Sequence, residues 1–279
     1  MQPTPDFDPL PPDAPRWPLW TEELRLDDAL AEKAYEATPP PWRAAIKTGL
    51  ALAHAHFGQH TGKHRCTAEK SHAGFWSHVE ESPAPWAIVA FTPTYAAAAR
   101  LAAACMPAAL AGVPLVAAAC VDGLPQKAAL VSLELTGIED IFLLDQEKLC
   151  SLLQEMPSRH GRLVLLHAGE LAPVHQCARG LGLRCFEESR PPHLRLLHPE
   201  NFDSGLLAFA QADALHTGAQ KNHPPEAVLL AVEHGQHVPG HFCADDGLLT
   251  LTPGCEGFWL HPGLDPDFFR LRRHAFGLL

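Results

Sequence analysis

The chain has 279 residues, of which 47% are hydrophobic and 19% charged, enough apolar material for one large or two modest folded domains. Its formal net charge of −11 argues against nucleic acid or an anionic membrane as a partner, because either surface would repel it. No run of 18 or more apolar residues occurs and the N-terminus is acidic and proline-rich, so the expectation is a cytoplasmic protein without a membrane span or signal peptide.

Residues 1–18 are proline-rich and aperiodic and read as an extended arm. A helix is expected from Thr21 to Tyr35, stopped by Pro39–Pro41, and a second opens at Pro41 with apolar positions three and four apart. Residues 61–85 read as polar and irregular. Beyond them the pattern becomes regular. "WAIVAF" (86–91) is a buried strand, the alanine-rich 95–112 a helix ending at Gly112, and "VPLVAAAC" (113–120) a strand. Residues 124–137 follow as a helix, "IEDIFLL" (138–144) as a strand, and "LCSLLQEM" (149–156) as a closing helix. Alternation of this kind with short joints predicts parallel strands and right-handed crossovers. A second round begins at "GRLVLLH" (161–167) and the helix "ELAPVHQCARGLG", followed by expected strands at 193–198 and "LLAFAQ" (206–211).

The expected class is therefore α/β, with two incomplete Rossmann-like domains whose sheets are rich in parallel strands, preceded by N-terminal helices. The joint falls at "PSRHG" (157–161), giving an arm at 1–18, a first domain at 19–157 and a second at 158–279. The C-terminal segment of the second domain is expected to return to the first. The eight cysteines include no Cys-x-x-Cys pair, and several lie in apolar runs, consistent with reduced, buried thiols.

Residues 86–144 resemble the first nucleotide-fold domain of the histidinol dehydrogenase family, and more distantly the aldehyde dehydrogenase fold. Further likeness lies in "RPPHLRLLHPENFDSGLLAFAQADALHTG" (190–218), in "PEAVLLAVEHGQHVP" (225–239) and in "HPGLDPDFFRLRR" (261–273), in the family's order. The likeness spans most of residues 40–275. It implies two-step, NAD-dependent oxidation of histidinol on a zinc ion by a dimeric enzyme.

Residue by residue, the family's acid/base Glu–His pair falls on Pro192 and His193, and one zinc-ligand Asp falls on Leu230. His237 falls on a family active-site histidine. The family's glycine-rich turn after the first strand is here Phe91-Thr92-Pro93. Zinc needs about four N, O or S donors, and leucine offers none. A general base must exchange protons, and proline has none to exchange. Zinc and other cofactors are thus not expected, although the resemblance implies NAD. The leading expectation is a non-catalytic or repurposed relative that binds a small molecule or a protein partner, with His193 and His237 in its site. The alternatives are an NAD-dependent alcohol or aldehyde dehydrogenase with an altered site, and a structural subunit. The resemblance also implies a homodimer.

Two histidine clusters remain. His56, His60 and His64, with His54 nearby, would share a face of a continuous helix and offer metal ligands, but Gly58 and Gly62 interrupt it and a solvated surface is the plainer reading. His234, His237, His241 and Cys243 have ligand-like types at spacings that match no zinc motif. "GFWLHPG" (257–263) reads as core or interface, and the basic, amphipathic "FFRLRRHAF" (268–276) as a docking segment.

Overall fold

The run at 87–91 has no polar side chain and is fully buried, so it can serve only as a strand covered on both faces. In the computed structural model, which describes residues 16–58, 66–72, 74–192, 194–196, 199–214, 227–229 and 249–278, it is the centre of the main sheet. The helices are α1 (Asp28–Glu36), α2 (Pro40–Phe57), α3 (Ala98–Leu110), α4 (Lys127–Thr136), α5 (Gln146–Glu155), α6 (Ala172–Gly180) and α7 (Ser204–Gln211). The strands are β1 (Cys66–His72), β2 (Phe75–Pro83), β3 (Ala87–Phe91), β4 (Val116–Val121), β5 (Asp140–Leu144), β6 (Arg162–Leu166), β7 (Arg184–Glu188), β8 (Leu194–Leu196), β9 (Ala227–Leu229), β10 (Leu249–Leu251) and β11 (Arg270–Leu278).

The main sheet is parallel, in the order β5-β4-β3-β6-β7. The period of two along β3 sends Ala87, Val89 and Phe91 into one core and Ile88 and Ala90 into the other. Alanines on α3 and α4 let those helices approach closely, and the Ser132 hydroxyl donates to the Ala98 carbonyl at 2.7 Å. Helices α5 and α6 cover the opposite face through Leu149, Leu152, Leu153, Val174 and Ala178. Helix α4 ends at Gly137, whose φ of 71° is left-handed, and the Ile138 N–H returns to the Leu133 carbonyl.

Several expectations require correction. The first helix is two pieces, a 3-10 turn at Leu19–Leu24 and α1, because the Asp27 side chain caps a new start by accepting from the Ala29 N–H. Residues 66–83 are a hairpin rather than irregular, and the basic terminal stretch is the nine-residue β11, paired antiparallel along β2. "LLAFAQ", expected as a strand, lies in helix α7. A six-residue apolar run does not distinguish the two, and Asp203 decides by accepting from the Gly205 and Leu206 N–H groups. The suggested joint at 157–161 lies between α5 and β6, and β6 pairs directly with β3, so the sheet continues across it.

Past β10 the chain runs back across α2 and α3. A Cβ at Gly257 would lie 2.2 Å from the Ala45 carbonyl oxygen, and one at Gly49 would lie 1.9 Å from the Gly257 oxygen, so this crossing needs glycine on both sides. Trp259, Leu264, Phe268 and Phe269 thereby join the core under α3. Among the described residues six cysteines are free thiols, and burial pushes Cys105 and Cys120 up to about 12. Among the described residues no helix is long and apolar enough to cross a membrane.

Candidate functional site

Strand β7 ends in two consecutive carboxylates, Glu187 and Glu188, and strand alternation sends them to opposite faces of the sheet. Glu188 turns toward α3. Its Oε1 accepts from the Tyr95 hydroxyl at 3.0 Å and lies 3.6 Å from the guanidinium of Arg100, which is fully buried. Its Oε2 lies 3.1 Å from His261 Nδ1. The other ring nitrogen of His261, Nε2, donates to the Arg100 carbonyl at 2.8 Å.

This arrangement constrains the protons. A carbonyl oxygen only accepts, so Nε2 carries a hydrogen. Nδ1 then faces a carboxylate, and one proton must lie between Nδ1 and Oε2. Burial alone would raise the Glu188 carboxyl, but His261, Arg100 and Tyr95 outweigh it and hold it below its ordinary value. Glu188 is therefore an ionised acceptor facing the His261 ring. Burial drives the Tyr95 hydroxyl well above its usual range, so it stays a donor. The Arg100 guanidinium also sits 4.9 Å from the centre of the Tyr95 ring.

Glu187 faces α6 and bridges two histidines. His167 Nδ1 accepts from the Gly169 and Leu171 N–H groups at 2.8 and 3.3 Å, which places its hydrogen on Nε2, 3.1 Å from Glu187 Oε1. Glu187 Oε2 lies 2.8 Å from His175 Nδ1 on α6.

Both carboxylates border a cleft of about 610 Å³. One wall is Phe186, Arg190 and Pro192, on and just past β7. The other is the returning segment from Trp259 to Asp265, with His56 and Phe57 of α2 at the rim. Trp259 is 3% exposed, and its buried Nε1 has no hydrogen-bond partner among the described residues. An indole N–H left without an acceptor is costly in an apolar setting.

Of the residues singled out in the sequence, His193 and His237 lie outside the described residues, as do His60, His64, Leu230, His234, His241 and Cys243. Pro192, which precedes His193 in the chain, is buried and lines the cleft. His54 and His56 are exposed in the last turns of α2, and only His56 of these two reaches the cleft. The residues that this geometry brings together and that no sequence motif marks are Arg100, Glu188 and His261. "GFWLHPG" carried a signal in its paired Trp and His, but both fit core equally well until the contact with β7, 73 residues upstream of His261, is known.

The fit of the cofactors implied by the resemblance depends on two places. A dinucleotide pyrophosphate takes an open, glycine-lined turn between the first strand and its helix. Here that turn is Thr92–Ala97, closed by Pro93 against Gly123, where a Cβ would lie 2.6 Å from the Pro93 ring, and by the buried Tyr95. Gln126 Nε2 also donates to the Pro93 carbonyl at 3.0 Å. These residues do not fit a pyrophosphate. Among the described residues no group of three or more His, Cys, Asp or Glu side chains is arranged to hold a metal ion.

No family model matches the sequence, and no curated protein matches it. Solved structures do match. Histidinol dehydrogenase from Elizabethkingia anophelis aligns with a TM-score of 0.59 at 11% identity, covering 92% of this chain and 77% of that one. Betaine aldehyde dehydrogenase from Staphylococcus aureus aligns with a TM-score of 0.41 at 12% identity, covering 72% of this chain and 43% of that one. The chain thus has a mixed α/β fold, built on a parallel five-stranded sheet, that is similar to histidinol dehydrogenase.

Proposed function

We propose that this protein is a histidinol dehydrogenase-like binding protein, repurposed to hold a small polar molecule in the Glu188–His261 cleft without zinc- and NAD-dependent oxidation. The observation that carries the reading is the Glu188–His261 pair in the wall of a concave cleft, beside a buried Trp259 N–H that has no acceptor among the described residues. Pre-placed charges and an unspent donor in a concave, largely apolar space are what a small-molecule site requires. The acidic lining of Glu187, Glu188 and Asp265 favours a ligand bearing an amine, and Phe186 and Leu264 offer packing for a ring or short chain. Histidinol and related imidazole amines are the first ligands to try, on the strength of the fold. His193, next to Pro192, and His237 are proposed to contribute from the adjoining segments.

The closed turn at Thr92–Ala97 supports a site that works without a dinucleotide. The test is calorimetric titration of the full chain with histidinol, histidine and NAD, paired with an absorbance assay for NADH with zinc added. Saturable binding of an imidazole amine with no NADH formed is the expected result. Turnover of histidinol, or NAD binding with none by the amines, would contradict it.

A further inference from the structure

The opposite end of the same strands has a different chemistry. Arg162 opens β6 and Arg184 opens β7, and the register makes them direct neighbours. Like charges placed opposite one another in a sheet repel. Strand β11 adds Arg270, Arg272 and Arg273, and together these five arginines line a cavity of about 450 Å³. Only Glu81 and Asp267 oppose them in its lining, on a chain whose net charge is −11.

The charge is incompletely neutralised from within. Arg272 pairs with Glu81, and Asp267 lies 4.0 Å from Arg270. Arg162 is 6% exposed and donates only to carbonyls, those of Phe268, His160, Gly161 and Arg270. It locks β6 to the returning C-terminal segment. Burial, and after it the neighbouring Arg184, pulls its guanidinium down to about 10. No salt bridge joins Arg184 or Arg273 to a carboxylate among the described residues. The Arg184 guanidinium is braced over the Phe268 ring at 5.0 Å, a placement that fixes its plane.

We propose that this cavity is a second ligand site, which takes the phosphate group of a small molecule. Guanidiniums bind planar or tetrahedral oxyanions through paired donors, and a phosphate supplies two charges and several acceptor oxygens to groups that otherwise repel one another. The site is separate from the Glu188–His261 cleft. The length of β7 lies between them, on the order of 15 Å. Its concave form and the acidity of the rest of the chain favour a small solute over an anionic bilayer.

The test uses the full chain at low salt, titrated with pyrophosphate and with inorganic phosphate by calorimetry. Oligo-glutamate and phosphatidylserine vesicles serve as alternative anions. Saturable binding of the phosphate probes is expected, weakened at least about tenfold in the Arg184→Gln/Arg273→Gln double variant, as lost charge-assisted bonds require. Both side chains are exposed, so the unliganded melting temperature should stay unchanged. A control that removes the same charge elsewhere, Lys33→Gln/Lys148→Gln, should bind like the parent. No saturable binding by the parent chain, undiminished binding by the arginine variant, or an equal loss in the lysine control would overturn the proposal. So would binding of oligo-glutamate or vesicles in preference to phosphate.

Discussion

Strands β6 and β7 carry opposite electrostatics at their two ends. At the C-terminal end Glu188 collects Arg100, His261 and Tyr95 into a closed set of contacts between 2.8 and 3.6 Å. At the N-terminal end Arg162 is held by carbonyls alone, and Arg184 and Arg273 face the cavity without a carboxylate bonded to them among the described residues. The first end pairs its carboxylate with a buried guanidinium, and the neutral Trp259 donor lies in the adjoining cleft wall. The second leaves charge itself to be balanced. Five residues of strand therefore separate a cleft with an acidic lining from a cavity lined mainly by arginines.

The comparison can be broken most forcefully at Glu188. Glu188→Ala leaves the fully buried Arg100 facing a ring that has lost its carboxylate, and should cost about 4 kcal/mol in urea unfolding. Gly257→Ala should cost about 3 kcal/mol by driving a methyl into the Ala45 carbonyl, and it should open the cleft by lifting Trp259 and His261 from α3. Arg162→Met strips donors from the carbonyls of Phe268, His160, Gly161 and Arg270. It should also cost about 3 kcal/mol, whereas Arg184→Gln should stay within about 0.5 kcal/mol and lean toward stabilising at low salt.

The pH dependence has a fixed sign. Glu188 titrates below its ordinary 4.5 in the folded chain, so its contribution is fully present above that value and is lost as pH falls through the lower folded value. The stability gap between the parent and Glu188→Gln should hold steady near neutral pH and narrow below about 4.5. Unchanged separation down to strongly acidic pH would show that the carboxylate is not held as described. Trp259→Phe keeps an aromatic ring but removes the indole N–H together with part of the buried volume, and should cost about 1 kcal/mol in stability while ligand affinity falls.

Much of the main sheet was legible because its signals are local. Runs such as 87–91 and 163–166 are too apolar for any exposed element, and Gly137 marks a helix end on its own. What escaped depends on distant partners. Strand β11 reads as a basic amphipathic tail until β2 is placed beside it. The short helix α7 turns on one capping aspartate. The candidate site is harder still, since His261 meets the Arg100 carbonyl across 161 residues, and neither "LHPG" nor "FEES" predicts the other. The arginines show the same limit. Arg162 and Arg184 lie 22 positions apart and become neighbours only through the parallel register.

The most direct measurement follows the indole N–H of Trp259 by nitrogen-labelled NMR, identified among the six tryptophans by its loss in Trp259→Phe, while histidinol or a related imidazole amine is titrated in. The account predicts a saturable shift at Trp259, with the signals of Trp17, Trp20 and Trp76 unmoved. Binding that leaves the Trp259 signal in place, or a shift there that persists after the Glu188–His261 pair is removed by Glu188→Gln, would contradict it.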